Sequence, residues 1–439
     1  MNIKWYATTK DNPWHERFVT GEEAQSSVAF DGQYYQEMEG FGGCFNELGQ
    51  VALLKLREEK RKKLFELLFL PEADGLRFNF CRMPIGASDY ATKWYSYNET
   101  PDDFEMKHFS IDNDRQYLLP YIKEAYQYNP EMKLFASPWS PPTWMKFPQA
   151  YNYGTLTWEE KYLKAYALYF AKFVKAYEAE GIHIHQIHVQ NEPMSSQKFP
   201  SCIWTGEQFA EFIGKYLGPL FERENIDTEI WLGTLNGPET DSRFLYTRYN
   251  DYANLVLHDK DAYKYIKGIS YQWAGKYAVA VTRESWPEKR LMQSENECGD
   301  GKNTWEYARY IFEMARTYLA NGVGSYIYWN MVLLPEGEST WGWKQNSLIT
   351  VYPESGDYTL NYEYYVMKHY SRFVRPGARR LGLKGHWVGT SVAFENPDGR
   401  IVVVTANPFK REMAVEFSFK DKRMNLVLEA DSFNTIVMD

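Results

Sequence analysis

The chain is poor in the features that mark several large protein classes. It has four cysteines, Cys44, Cys81, Cys202 and Cys298, in 439 residues, and no two form a CxxC pair. That density is far below a disulfide-stapled secreted scaffold, so reduced, buried thiols are expected. There is no run of about 18 apolar residues that could cross a bilayer, and the segment Met1 to Asp11 has no apolar leader core. A cytoplasmic protein away from membranes is the expectation. Basic charge is not in excess either: 49 Lys and Arg stand against 58 Asp and Glu, a net −9, whereas nucleic-acid surfaces need clustered cations to displace phosphate counterions. No internal repeat and no low-complexity linker interrupts the chain.

Aromatic side chains are plentiful, 17% of residues with 15 Trp and 35 Tyr. Their faces stack on the C–H faces of pyranose rings, although the same residues also fill cores, so composition leans only weakly towards a neutral sugar ligand. The length accommodates one large α/β unit plus a smaller one.

Periodicity organises the chain into three stretches. The first has alternating strands at Ile3 to Thr8, Phe18 to Thr20 and Ser26 to Phe30, with turn residues at Asp11-Asn12-Pro13 and Asp31-Gly32. After Gly40, short apolar segments alternate with amphipathic ones. Strands are expected at Glu39–Cys44, Leu76–Pro84, Lys133–Trp139, Ile184–Asn191, Glu229–Leu235, Gly268–Trp273, Arg290–Glu295 and Gly324–Asn330. Helices are expected at Glu47 to Leu70, Asp114–Tyr126, Thr157–Glu180, Gly206–Glu224, Asp241–Leu257, Asn303–Ala320 and Tyr362–Phe373, with none placed between strands six and seven. Eight strands in β/α alternation predict a (β/α)8 TIM barrel. The tail returns to short strands, at Trp387–Phe394, Arg400–Asn407, Glu412–Phe419, Asn425–Leu428 and Phe433–Val437. The N-terminal strands are too few to bury a face alone, so both chain ends are expected to form one attached β-sandwich. The expected division is 1–35 for the N-terminal strands of the β-sandwich, 36–373 for the catalytic barrel and 374–439 for its C-terminal strands.

Barrel active sites lie at the C-terminal ends of the strands. Strand four runs to Gln190-Asn191-Glu192-Pro193, with Gln186, His188, Gln190 and Glu192 on one face by period-two alternation. Strand seven ends Gln293-Ser294-Glu295, with Glu297 two residues further on. Either glutamate alone reads as a solvated charge or a helix N-terminal anion. Placed together across a barrel mouth, they match the carboxylic acid and carboxylate that glycoside hydrolysis requires.

Several longer segments carry a resemblance. Glu39-Gly40-Phe41-Gly42-Gly43, Arg82 to Tyr90, Ala136 to Lys146 with its Ser-Pro-Trp-Ser-Pro-Pro core, Trp329-Asn330 followed by Pro335-Glu336-Gly337, and Tyr370 to Gly377 are similar to glycoside hydrolase family 30, the glucosylceramidase family. The resemblance covers nearly the whole chain. It implies that Glu192 is the acid/base, with Asn191 binding the sugar 2-hydroxyl. Glu295 would be the nucleophile, and Arg82 would orient it and hold it ionised. Asp89, Trp139, Trp329 and Asn330 would line the glycone subsite, and Trp273 would be the strand-six aromatic. It also implies no cofactor and no metal.

Two positions depart from the glucosylceramidase pattern, Gln272 in place of a histidine and Ala274 in place of a tyrosine, and they leave sugar and aglycone open. Glu297 remains an alternative nucleophile. His183, His185 and His188 cluster on strand four, but no complementary Cys/His pair completes a zinc set. Gly40-Phe41-Gly42-Gly43 lacks dinucleotide-fingerprint spacing, Cys298 reads as a packed thiol, and Lys55 to Lys63 as a solvated helix face. The expected activity is retaining, exo-acting hydrolysis of small-molecule or oligosaccharide β-glucosides, β-xylosides or β-fucosides. The alternatives are an endo-acting β-1,6-glucanase or xylanase, and a non-catalytic sugar-binding protein on the same scaffold. Oligomeric state is left open.

Overall fold

The computed structural model describes residues 3–18, 23–237 and 252–439. Eight parallel strands close into a barrel: Gly40–Cys44, Phe80–Ile85, Lys133–Pro138, Gln186–His188, Glu229–Leu235, Ile266–Gln272, Arg290–Glu295 and Val323–Asn330. Most of these segments are buried along their length, which explains their near-continuous apolar sequences. Phe80, Phe135, Trp231, Met292 and Ile327 pack as one cluster. His188 joins them, its ring stacked on Trp231 at 5.3 Å, so the lower barrel is a filled core. Strand one is rich in glycine because its neighbour comes so close: a Cβ on Gly42 would stand 1.9 Å from the Phe80 carbonyl oxygen.

The expected helix from Glu47 to Leu70 is two helices, Glu47–Leu53 and Glu58–Phe69. They are separated by a turn in which Leu56 is buried and the Arg57 backbone is extended. A short helix, Val279–Ser285, fills the place between strands six and seven where none was expected; only Val279 and Thr282 are buried along it, too few for a periodic signal. Of the expected helix Asp241–Leu257, residues 241–251 lie outside the described residues, and Tyr252–Leu257 is helical. Strand four is shorter than expected, yet its continuation is still pinned. Asn191 N–H donates to the Pro138 carbonyl at 2.8 Å and Glu192 N–H to the Thr234 carbonyl at 3.1 Å.

The chain ends form one nine-stranded sheet, in the order His15–Arg17, Ile3–Thr8, Ser432–Met438, Ile401–Asn407, Ser391–Glu395, Arg379–Gly385, Ser26–Glu37, Met413–Phe419, Lys422–Leu428. The sheet curls so that residues from both of its ends, Trp5 and Ile436 with Phe417 and Leu426, share one core. The second strand lies at His15–Arg17 rather than Phe18 to Thr20; Phe18 is exposed, and Val19 and Thr20 lie outside the described residues. Asp31-Gly32 does not end a strand. It forms an irregularity within Ser26–Glu37, with Gly32 at φ +97°. The strand Arg379–Gly385 was not foreseen, and Val388–Thr390 is a 3-10 turn ahead of Ser391–Glu395. The sheet seats on the barrel through Phe433, whose ring centroid is 4.7 Å from those of both Trp305 and Phe312. His369 is also held there, between the Thr8 and Thr435 hydroxyls at 2.9 Å each.

Candidate active site

The upper ends of strands two to seven contribute polar side chains to one network. At its centre is Arg82 on strand two, whose side chain is fully buried. One guanidinium nitrogen, Nη1, pairs with Glu295 Oε2. Nη2 donates to Asn191 Oδ1 at 2.7 Å and to Ser137 Oγ at 2.8 Å. The guanidinium carbon lies over the Trp139 ring at 4.6 Å and the Trp329 ring at 5.5 Å, cation–π contacts that help hold a charge away from water. Gln272, at the end of strand six, donates through Nε2 to Asn191 Oδ1 at 2.7 Å and to both Thr234 Oγ1 and Glu295 Oε2 at 3.0 Å. Asn191 and Glu295 therefore share two donors.

Above this network opens a pocket of about 460 Å³ bordered by Asp89, Trp139, Asn191, Glu192, Trp273 and Glu295, among others. Arg82 lies beneath it. Trp329 and Asn330 do not border it; they back it from below, which differs from the expectation that they line it. Trp329 packs against Trp139 at 5.5 Å and edge-on to Tyr90. Asn330 accepts from Asn46 at 3.0 Å and donates to Gln345 Oε1 at 2.9 Å. Gln345 in turn donates weakly to Asp89 at 3.5 Å.

The two glutamates sit in different surroundings. Glu192 turns into the pocket from a backbone at φ +44°, a conformation rare outside glycine, held by the Thr234 carbonyl and by Ser195 N–H donating to the Glu192 carbonyl at 2.9 Å. Burial, followed by the charges of Glu295 and Asp89, pushes its carboxyl up to about 8. Burial also raises Glu295, but there the Arg82 cation opposes it by charge and by hydrogen bond. Of the pair, Glu192 is the one that keeps a proton near neutral pH. Asp89, buried beside Glu295, is raised to about 7.

Strand seven ends at Glu295, so Glu297 does not share its face. The Glu297 carboxylate accepts from the Tyr310 hydroxyl and does not border the pocket. Cys298 does border it, with a thiol pushed well up by burial and the surrounding carboxylates. The three histidines do not converge. His188 is bonded inside the barrel to Ser270 Oγ at 2.7 Å, while His183 and His185 meet edge to face outside it. Among the described residues no group of three His, Cys, Asp or Glu side chains stands close enough to hold a metal.

Sequence reasoning missed the supporting residues Asn46, Ser137, Thr234 and Gln345, and the rim residues Phe199, Trp341 and Trp343. Ser137 and Thr234 were within reach, being polar residues at strand ends. The rim was signalled only by a Trp-Gly-Trp triplet after strand eight.

Comparison with known proteins fits this geometry. The chain is 28% identical over 414 residues to the lysosomal acid glucosylceramidase of Mus musculus, spanning 88% of this chain and 78% of that one. It is 27% identical over 412 residues to the endo-1,6-beta-D-glucanase neg1 of Aspergillus fumigatus, spanning 88% and 81%. The crystal structure of SrfJ from Salmonella typhimurium superposes with a TM-score of 0.89 at 26% identity, covering 100% of this chain and 99% of that one. Residues 38–374 match the glycosyl hydrolase family 30 TIM-barrel domain and residues 377–436 that family's beta sandwich domain, so this glycoside hydrolase belongs to glycosyl hydrolase family 30.

Proposed function

We propose that the protein is a retaining, exo-acting β-glycosidase, with Glu295 as nucleophile and Glu192 as acid/base. The observation that carries this is the unequal treatment of two desolvated carboxyl groups at one pocket, Glu295 held by the Arg82 cation and Glu192 pushed up to about 8. Glu295 attacks the anomeric carbon as the bond to the leaving oxygen breaks, and Glu192 delivers its proton to that oxygen. The product is an α-linked glycosyl ester on Glu295. Glu192, now a carboxylate, takes a proton from water as the water oxygen attacks the same carbon, and Glu295 leaves as a carboxylate. Asn191, oriented by Arg82 and Gln272, stands beside Glu192, where it can bond the sugar 2-hydroxyl. Support for exo action comes from the side chains packed under the pocket, Trp139 over Arg82 and the hydrogen-bonded set Asn46, Asn330, Gln345 and Asp89, which occupy space on the glycone side. The four thiols, all free, suit a reducing compartment such as the cytoplasm.

A panel of aryl β-glucoside, β-xyloside and β-fucoside tests this, with the first-formed sugar read by NMR. Release of the β-anomer is expected. Release of the α-anomer would overturn retention, and binding without turnover would leave a sugar-binding protein. Endo action is the second reading, favoured by the Aspergillus relative, named as an endo-1,6-glucanase. Oligosaccharide products that appear before monosaccharide would establish it.

A further inference from the structure

Three aromatic rings border the pocket. The Phe199 ring centroid is 5.5 Å from that of Trp341, which is 5.1 Å from that of Trp343. All three border the pocket together with Gln197, Ser195 and Asn236. Trp343 is 48% exposed, an unfavourable place for an indole unless something covers it.

The loop that carries the two tryptophans is tied down. Ser339 N–H donates to the Trp343 carbonyl at 2.7 Å and Trp343 N–H to Ser339 Oγ at 3.1 Å; Gln345 N–H donates to the Gly337 carbonyl at 3.0 Å. The Tyr90 hydroxyl anchors the same Gly337 carbonyl from the barrel at 2.6 Å. The aromatic surface is therefore preformed, and a ligand that lies on it need not order the loop.

We infer that Phe199, Trp341 and Trp343 form a leaving-group platform that binds a pyranose ring, so that the physiological substrate is a β-linked oligosaccharide rather than a lipid glycoside. This rests on the proposed glycosidase reading. The rings border the same pocket as Glu192, whose carboxyl must meet the leaving-group oxygen, so a leaving group in reach of that acid is also in reach of the rings. The neighbours of the rings favour sugar over an alkyl chain. Gln197, Ser195 and Asn236 present amides and hydroxyls beside the aromatic faces, the pairing of stacking with hydrogen bonding that a pyranose uses and an alkyl chain leaves unsatisfied. By microscopic reversibility the same platform holds an acceptor sugar. Its hydroxyl then gives its proton to Glu192 and its oxygen attacks the anomeric carbon of the glycosyl ester, forming a new β-glycosidic bond and releasing the Glu295 carboxylate.

The test compares kcat/KM for β-D-glucosyl fluoride, gentiotriose and octyl β-D-glucoside in the wild type, Trp343→Ala and Trp343→Phe. Fluoride is too small to reach the platform and reports the catalytic centre alone. In Trp343→Ala the ratio of the gentiotriose value to the fluoride value should fall about 5- to 10-fold, the worth of one stacked aromatic contact, mainly through KM, and Trp343→Phe should restore most of it. Transfer products formed from the fluoride with gentiobiose as acceptor should fall in parallel. An unchanged ratio, a fall that Trp343→Phe does not relieve, or a larger loss on octyl glucoside than on gentiotriose would overturn the platform. No turnover of fluoride by the wild type would instead defeat the β-glucosidase reading beneath it.

Discussion

Replacing Arg82 by methionine removes the buried cation while filling most of its volume, which limits the cavity contribution. Arg82 pulls the Glu295 carboxyl down against burial, by charge and by hydrogen bond. Taking one partner from a buried ion pair costs about 3–5 kcal/mol. That loss falls on the ionised form of the nucleophile, and its pKa rises. The Gln272 amide remains at 3.0 Å from Glu295 and still favours its ionised form, so the rise is smaller than loss of every donor would give. The sign follows from the mechanism. The nucleophile must be ionised in the free enzyme, so its pKa sets the acidic limb of the kcat/KM profile, and a raised pKa moves that limb upwards. The alkaline limb belongs to Glu192, near 8 in the wild type. The bell should therefore narrow from its acidic side and lose height, because little pH range remains in which one carboxyl is ionised and the other protonated. The assay is the pH dependence of kcat/KM with an activated aryl β-glycoside, run beside thermal unfolding of the same samples. Arg82→Lys keeps the charge but not the fork that reaches Glu295 and Asn191 together, and should give a smaller shift. An acidic limb that stays in place while the melting temperature drops sharply would show Arg82 to be a structural ion-pair residue, and the reasoning would fail.

Chemical rescue should separate the glutamates: with azide and an activated aryl β-glycoside, Glu295→Gly should give an α-glycosyl azide by a single inversion, and Glu192→Gly a β-glycosyl azide through its intact nucleophile. The opposite anomers, read by NMR, would exchange the roles. Glu297→Gln should keep most activity, since its carboxylate faces Tyr310 and not the pocket; a loss as deep as that of Glu295→Gln would transfer the nucleophile role to it. Stability should fall as pH rises from about 5 to about 8, because Glu192, Asp89 and Glu363 are raised to about 8, 7 and 8 in the folded chain and hold protons that the unfolded chain releases. His185 and His369, lowered to about 4 and 3 by burial, act in the other direction and remove stability as pH falls below their unfolded value. Thermal unfolding across pH should show the maximum on the acidic side of neutrality and a shallower alkaline fall in Glu192→Gln; stability flat or rising up to pH 8 would refute it.

The barrel was legible because its strands are buried on both faces. A segment such as Glu229–Leu235 reads as an apolar run bounded by turns, and helices as long as Glu160–Ala179 repeat their apolar face several times. Where the fold depends on a single turn or a local break, that signal disappears. Val279–Ser285 is one such place, and the separation of Glu47–Leu53 from Glu58–Phe69 is another. In the sheet, Arg379–Gly385 has two arginines, two glycines and a lysine, a composition without strand propensity, and it is a strand because it pairs with Ser26–Glu37 and Ser391–Glu395. At the site, residues that end strands could be found by counting, which is how Glu192 and Glu295 came to be paired. The rim could not, since Phe199 and Trp341 are far apart in sequence and meet only through the folding of two loops.

The site also shows why two identical side chains acquire different protonation at one pocket. Desolvation raises both carboxyl groups; the difference is which of them the Arg82 fork reaches. Arg82 extends one nitrogen to Glu295 and another to Asn191, the residue before Glu192, and Gln272 repeats the pattern with a neutral amide. The cation thus fixes the strand-four turn in space while its charge, which also reaches Glu192 as a minor influence, acts chiefly on strand seven. Trp139 and Trp329 hold that guanidinium dry, and a charge kept from water acts more strongly on its one partner. The asymmetry between the two glutamates is in this way built into the barrel before any sugar enters it, and the proposed division into acid and nucleophile rests on it.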